Sequence, residues 1–172
     1  TFRYVACKPN YYIAPTNKDK HGKELWNHHK MVKRTMFNYD GVEGGKTGYT
    51  TKAGGTLVTF AKRGDQELIV VDLCAHGYEL YEDTIKMLNY GFNNHKTIAP
   101  FKTMNTVLKD DTYGFLKTGN ELSPYKIPLK HLNDVTVMLE KNQSASKLTY
   151  KCKDNKYIIS YDGKQIGSVK LH

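Results

Sequence analysis

The sequence predicts an α+β fold: an antiparallel sheet backed by one helix, then a small β-sandwich domain. Three observations predict it. Strand-forming runs separated by glycine turns fill residues 46–74, a helical pattern follows, and beyond residue 92 short alternating runs lie between Asp, Asn and Gly turns. The 172 residues, a length that suits one or two small domains, divide accordingly into 1–92 and 93–172.

Asp40-Gly41-Val42-Glu43-Gly44-Gly45 opens the sheet region, its glycines letting the backbone turn tightly and leaving room beside it. Lys46–Thr51 reads as a first short strand, with Thr50 and Thr51 as good strand formers. Gly48 weakens that strand, so it requires a reason, usually the close approach of another backbone or a ligand. Ala53-Gly54-Gly55 turns the chain into a second strand, Thr56–Ala61, and Arg63-Gly64-Asp65-Gln66 makes a hairpin loop. Leu68–Cys74 is the third strand, and its unbroken apolar run predicts burial on both faces. Tyr81, Ile85 and Leu88 then recur on one helical face. Glu79, Glu82 and Asp83 favour the positive end of that helix, and Gly91 stands where a C-terminal cap belongs.

After the polar break Asn93–Lys96, the runs around Val107-Leu108, Tyr113–Leu116, Val135–Leu139, Leu148–Cys152 and Tyr157–Tyr161 are short and regularly spaced. Asp162-Gly163 between the last two strands is a strong hairpin signal. No residue type in this half points to chemistry.

Lys46-Thr47-Gly48 is one of three short signatures of enzymes that attack D-alanyl peptides or β-lactams with a serine. The triplet alone is weak, since Lys117-Thr118-Gly119 repeats it without supporting surroundings. Around the first copy stand Asp40-Gly41, Tyr49-Thr50, Ala53-Gly54, Leu57-Val58, Ala61, Arg63, Leu68–Val71, Asp83, Leu88 and Tyr90-Gly91-Phe92. In that order this stretch resembles the serine-type D-alanyl-D-alanine carboxypeptidases, the low-molecular-mass penicillin-binding proteins. Phe2–Lys30, with Thr16-Asn17-Lys18 and Leu25-Trp26-Asn27, resembles them more loosely. The family pattern has one residue fewer before Lys-Thr-Gly, so Val42–Gly45 carries an insertion that could shift how the strand enters a cleft.

The resemblance implies a penicillin-binding-protein/β-lactamase-like catalytic domain, represented by its C-terminal portion in 1–92, and a β-rich stalk domain in 93–172. It implies a substrate, the peptidoglycan stem peptide ending in D-Ala-D-Ala, and β-lactams as inhibitors. Lys46 would hold the terminal carboxylate as a point charge, Thr47 would add a hydroxyl donor, and Gly48 would keep the strand edge open. The Tyr49 backbone N–H would be one of two oxyanion donors. No cofactor or metal is implied, and the setting would be extracytoplasmic, in a bacterial cell envelope.

Two further motifs of the family, Ser-x-x-Lys and Ser-x-Asn, belong N-terminal to this strand, and residues 1–45 contain no serine. Ser144-Ala145-Ser146-Lys147 fits the first as a string, but it reads as a solvated loop entering a strand, not the rigid helix start a nucleophile needs. The expectation is the C-terminal part of a longer enzyme, inactive alone, whose partner is the missing N-terminal part. The alternative is a non-catalytic peptidoglycan-binding protein on a degenerate carboxypeptidase scaffold. A class A β-lactamase shares the triplet but not the trailing β domain or Tyr90-Gly91-Phe92.

Composition bounds the rest. Hydrophobic residues make up 39%, enough for a core, and no apolar run approaches ~20 residues, so no membrane-spanning helix lies in this stretch. The family commonly ends in an amphipathic anchor, and Ser168–His172 stops short of one. The net charge of +9 comes from scattered lysines with no basic stripe, which argues against nucleic acid. Cys7, Cys74 and Cys152 have no metal spacing. Cys74 is expected as a small buried filler, and a Cys7–Cys152 disulfide stays open. His28-His29 are adjacent and so rarely share a ligand face.

Overall fold

The computed structural model describes residues 1–33, 35–102, 106–108, 113–118, 121–122, 127–128, 135–154 and 156–170. The chain forms two compact units, Thr1–Asn94 and His95–His172. The second Lys-Thr-Gly triplet ends outside the described residues, as does the C-terminal Leu171-His172.

The first unit begins with a short helix, α1 (Phe2–Ala6), and a hairpin of β1 (Asn10–Ile13) and β2 (Lys23–Trp26). Three longer strands follow: β3 (Val42–Thr50), β4 (Gly54–Arg63) and β5 (Gln66–Ala75). They pair antiparallel in the order β3-β4-β5. The expected α+β class with antiparallel sheets is thus observed. The strand carrying Lys46 starts four residues earlier than expected, because Gly44 and Gly45 are extended and paired with Phe60 and Thr59. The β4–β5 loop is the two residues Gly64 and Asp65, with Gly64 at φ +57°.

Helix α2 (Glu79–Asn94) packs on one face of this sheet. Its buried residues Leu80, Tyr81, Thr84, Leu88 and Phe92 recur with helical spacing, and Glu79 and Glu82 occupy the first turn. They meet Leu57, Ala61 and Val70 of the sheet together with Met31 and Phe37. Phe37 stacks on Tyr81 with ring centroids 4.8 Å apart.

Three expectations are corrected here. β5 is buried on one face only: Val70 enters the core, while Ile69, Val71 and Leu73 are 73, 54 and 68% exposed. The apolar run was read as two-sided burial, but α2 covers a single face of the sheet. Cys74 is exposed, because it is the extra residue of a bulge opposite Gly55 and Thr56, at φ 64°, which turns its side chain outward. Gly91 is not a cap: it lies inside α2, where a Cβ would fall 2.5 Å from Leu68 Cδ1, so it is a point of close helix–sheet approach.

The second unit is built of β6 (His95–Ile98), β7 (Thr106–Leu108), β8 (Tyr113–Thr118), β9 (Glu121–Leu122), β10 (Ile127–Pro128), β11 (Val137–Glu140), β12 (Leu148–Lys153), β13 (Lys156–Tyr161) and β14 (Lys164–Lys170). All described pairings are antiparallel. Its core gathers Phe101, Val137, Leu139, Leu148, Tyr157 and Ile159. Asp162 and Gly163 both have positive φ, which joins β13 to β14 by the turn whose twist matches the strands. Among the described residues no helix is long and apolar enough to cross a membrane.

Leu88 is fully buried, so Leu88→Ala should destabilise the first unit by about 2–5 kcal/mol. Ile69→Thr, on the exposed face, should stay within about 0.5 kcal/mol of the parent. Urea unfolding of the 172-residue chain followed by Trp26 fluorescence checks both.

Candidate functional site

Among the described residues β3 pairs with β4 alone, so it is an edge strand there. An irregularity in its pairing falls before Lys46. Val42 pairs with Ala61 and Gly44 with Phe60, leaving Glu43 as the extra residue of a bulge. From Gly44 to Thr50 the register with Phe60–Gly54 is then unbroken. The bulge turns Glu43 toward Arg3 of α1, which ion-pairs with it, bridges to Glu67 of β5 at 3.3 Å and lies over the Phe60 ring. Exposed ion pairs of this kind contribute little to stability, but they fix where α1 lies against the sheet.

Cross-strand register places the side chains. Lys46, Val58 and Val71 form one row across the sheet, on the face that α2 leaves uncovered. Thr47 aligns with Leu57 and Asp72 on the opposite face. Lys46 is exposed, and its Nζ donates to the Thr47 carbonyl at 2.5 Å. Gly48 has a neighbour within the sheet: a Cβ there would meet Thr56 Oγ1 at 2.5 Å. Tyr49, opposite Gly55, is 77% exposed.

A groove of ≈ 730 Å³ runs along this edge. Gly45, Lys46 and Thr47 form one wall, and residues of α1, β1 and β2 form the other, including Tyr4, Tyr11 and Trp26. Lys8 adds a second cation, 4.6 Å above the Tyr4 ring. Gly48 and Tyr49 belong to the same strand but do not line the groove. The arrangement sets two ammonium groups and an aromatic wall beside an open strand edge. It is suited to an extended peptide with an acidic end.

Sequence reasoning missed His29. It is fully buried beneath β3, with Nε2 2.9 Å from Thr59 Oγ1 and its ring edge-on to Tyr81. Burial pushes its pKa down from 6.5 to about 4, against a weaker opposing pull from the Val58 and His29 backbone. The sequence held a histidine and, fifteen positions later, a double glycine, with nothing local to link them. Ser144-Ala145-Ser146-Lys147 forms a single tight turn before β12. Ser144 Oγ accepts from Ser146 N–H, and Lys147 Nζ reaches Asp162 at 3.4 Å, so that lysine serves no serine. Cys7 carries a free thiol.

No family model matches the chain. Over 154 residues, 87% of this chain, it is 29% identical to the D-alanyl-D-alanine carboxypeptidase DacF of Bacillus subtilis (strain 168). The chain resembles the C-terminal part of a D-alanyl-D-alanine carboxypeptidase. It spans 37% of the length of DacF. Two solved structures share its fold. Penicillin-binding protein 5 of Haemophilus influenzae has a TM-score of 0.59 and 22% identity, covering 98% of this chain and 49% of that one. Penicillin-binding protein 6B of Escherichia coli has a TM-score of 0.53 and 19% identity, covering 99% and 44%.

The histidine gives a pH dependence of stability. The unfolded chain protonates His29 near 6.5 and the folded chain only near 4, so between these values the unfolded state binds more protons. The neutral histidine's contribution is fully present above 6.5 and is lost as pH falls toward 4, by about 3 kcal/mol. Urea midpoints measured from pH 7 to pH 4 should fall more steeply for the parent than for His29→Gln; parallel curves would contradict this.

Proposed function

We propose that this chain is the substrate-gripping part of a serine D-alanyl-D-alanine carboxypeptidase, acting on peptidoglycan stem peptides in the bacterial cell envelope. The observation that carries the reading is the placement of Lys46 and Thr47 on the wall of a groove along an edge strand. The similarity to DacF over most of the chain adds the substrate class.

In this reading the stem peptide lies along β3 as an added strand, its backbone bonding to the strand's free edge. Its C-terminal carboxylate lies at the free edge of β3, where the Lys46 ammonium meets it from one face of the strand and the Thr47 hydroxyl from the other. The Thr47 carbonyl that now accepts from Lys46 Nζ is a weaker partner than a carboxylate, so the ammonium exchanges one acceptor for the other. Gly48 keeps side-chain bulk away from both Thr56 and the peptide. A serine attacks the penultimate carbonyl, the Tyr49 N–H stabilises the developing oxyanion, the terminal D-Ala leaves, and water hydrolyses the acyl-enzyme. Penicillin enters by the same route and stays as the acyl adduct.

The serine and its lysine come from polypeptide outside these 172 residues, since residues 1–45 hold no serine and the chain spans 37% of DacF. Two apolar surfaces of the first unit suit such a partner: the row Ile69, Val71 and Leu73, and the aromatic wall of the groove. The second unit, on this reading, is the stalk that sets the catalytic domain away from the membrane.

Labelled penicillin tests the proposal. The 172-residue chain alone should not be labelled, and the full-length protein carrying it should be labelled covalently. In that protein Lys46→Ala should slow acylation and peptide hydrolysis by roughly 10- to 100-fold, the value of a charge-assisted hydrogen bond. Unchanged rates would remove Lys46 from the site. Binding of wall fragments without labelling would instead mark a non-catalytic peptidoglycan binder.

A further inference from the structure

Gly45 touches the His29 ring. A Cβ at Gly45 would fall 2.7 Å from both Cδ2 and Nε2, so the strand's Cα rests against the imidazole with no room for a side chain. The cross-strand partner of Gly45 is Thr59, and Thr59 is also the residue whose hydroxyl bonds His29 Nε2. Gly45, Thr59 and the ring therefore close a triangle across β3 and β4, one residue before Lys46.

The other side of His29 is tied to the opposite wall. Its backbone N–H donates to Asn27 Oδ1 at 2.9 Å. Asn27 Nδ2 in turn donates to the carbonyls of Ala6 and Lys8, at 3.1 and 3.0 Å. Ala6, Lys8 and Asn27 line one side of the groove, and Gly45, Lys46 and Thr47 line the other. A continuous path of hydrogen bonds and one van der Waals contact thus links the two walls through a ring that solvent does not reach.

We infer that His29 is a positioning residue: with Asn27 and Thr59 it forms the spacer that sets where the Lys46 edge stands relative to the Lys8 wall. The inference rests on the groove being the peptide site, but the spacing itself does not. A spacer of this kind requires an uncharged ring. Among the described residues Nδ1 is buried with no hydrogen-bond partner, and the weak pull of the Val58 and His29 backbone does not offset the burial of a charged ring. The groups facing the ring are Thr59 and the Val58 backbone of β4, Gly45 of β3 and Tyr81 of α2, and of these only Tyr81 is titratable. None supplies the negative charge that an imidazolium would need, in keeping with its lowered pKa.

The test has two arms. On the 172-residue chain, amide hydrogen exchange is measured by NMR for residues 44–48, with residues 69–71 of β5 as internal reference. His29→Leu should lower protection at 44–48 at least ~10-fold with β5 unchanged, and His29→Gln, whose amide can reach Thr59, should restore it to within ~3-fold. Protection at 44–48 should also fall in the parent as pH approaches 4, and not in His29→Gln. Equal protection in His29→Leu, or a uniform loss across β3–β5, would overturn the spacer. In the full-length protein, penicillin acylation should drop ~10-fold or more in His29→Leu and recover in His29→Gln. A parent that is never acylated would sink the carboxypeptidase reading while leaving the exchange arm to decide His29. Normal acylation in His29→Leu would overturn the positioning role.

Discussion

β3 approaches its neighbours more closely than any side chain would permit, and the candidate site depends on that closeness. At Gly44 a Cβ would sit 2.8 Å from the Ala6 carbonyl and 2.5 Å from the Phe60 ring, and at Gly45 it would overlap the Val58 carbonyl. These contacts press the strand between α1 above and His29 below before it reaches Lys46. A strand so held cannot slip in register, and register decides which face each side chain takes. The Glu43 bulge works with this constraint. By ending the irregularity ahead of Gly44, it delivers Lys46 to the uncovered face in line with Val58 and Val71.

The parts of this arrangement that were legible in the sequence are those encoded by neighbours in sequence. The three strands, the Gly64-Asp65 and Asp162-Gly163 turns and the amphipathic α2 each carry a local signature, and each is present. The triplet at Lys46 stood out in the sequence because residues spaced on both sides of it, from Asp40 to Phe92, resemble a known pattern. What was not legible involves cover. The run Leu68–Cys74 names its residues as apolar but not what lies over them, and α2 is one layer, not two. Gly91 was read by its position near a helix end, whereas its actual constraint is Leu68, in another element.

His29 illustrates the same limit within the site. Its hydrogen bond to Thr59 spans 30 positions, and its contact with Gly45 is made by a residue with no side chain. No periodicity links them. The double glycine was read as leaving room beside the backbone, and only the fold shows that an imidazole fills that room. The adjacent His28 was read only as a residue that would not share a ligand face with His29, and the two side chains do part: His28 lines the groove and His29 is buried.

The uncovered face raises an energetic question that the charges answer. Ile69, Val71 and Leu73 lie exposed on the same face as Lys46, and each stabilises by about 1.5–3 kcal/mol when removed from water. A polypeptide that covers them gains that energy, but it also brings low-dielectric material up to the Lys46 ammonium. An ammonium so approached is costly unless an anion meets it, and the attraction to that anion grows as water leaves. On the proposed reading, cover and carboxylate favour one another: a packed domain would make the lysine a stronger ligand for an acidic peptide end, and a bound peptide would offset the desolvation of the lysine. The open 172-residue chain, with Lys46 turned onto its own neighbour's carbonyl, lacks that coupling. On that reading the 172-residue chain alone should grip a carboxylate weakly, even with Lys46 and Thr47 in place.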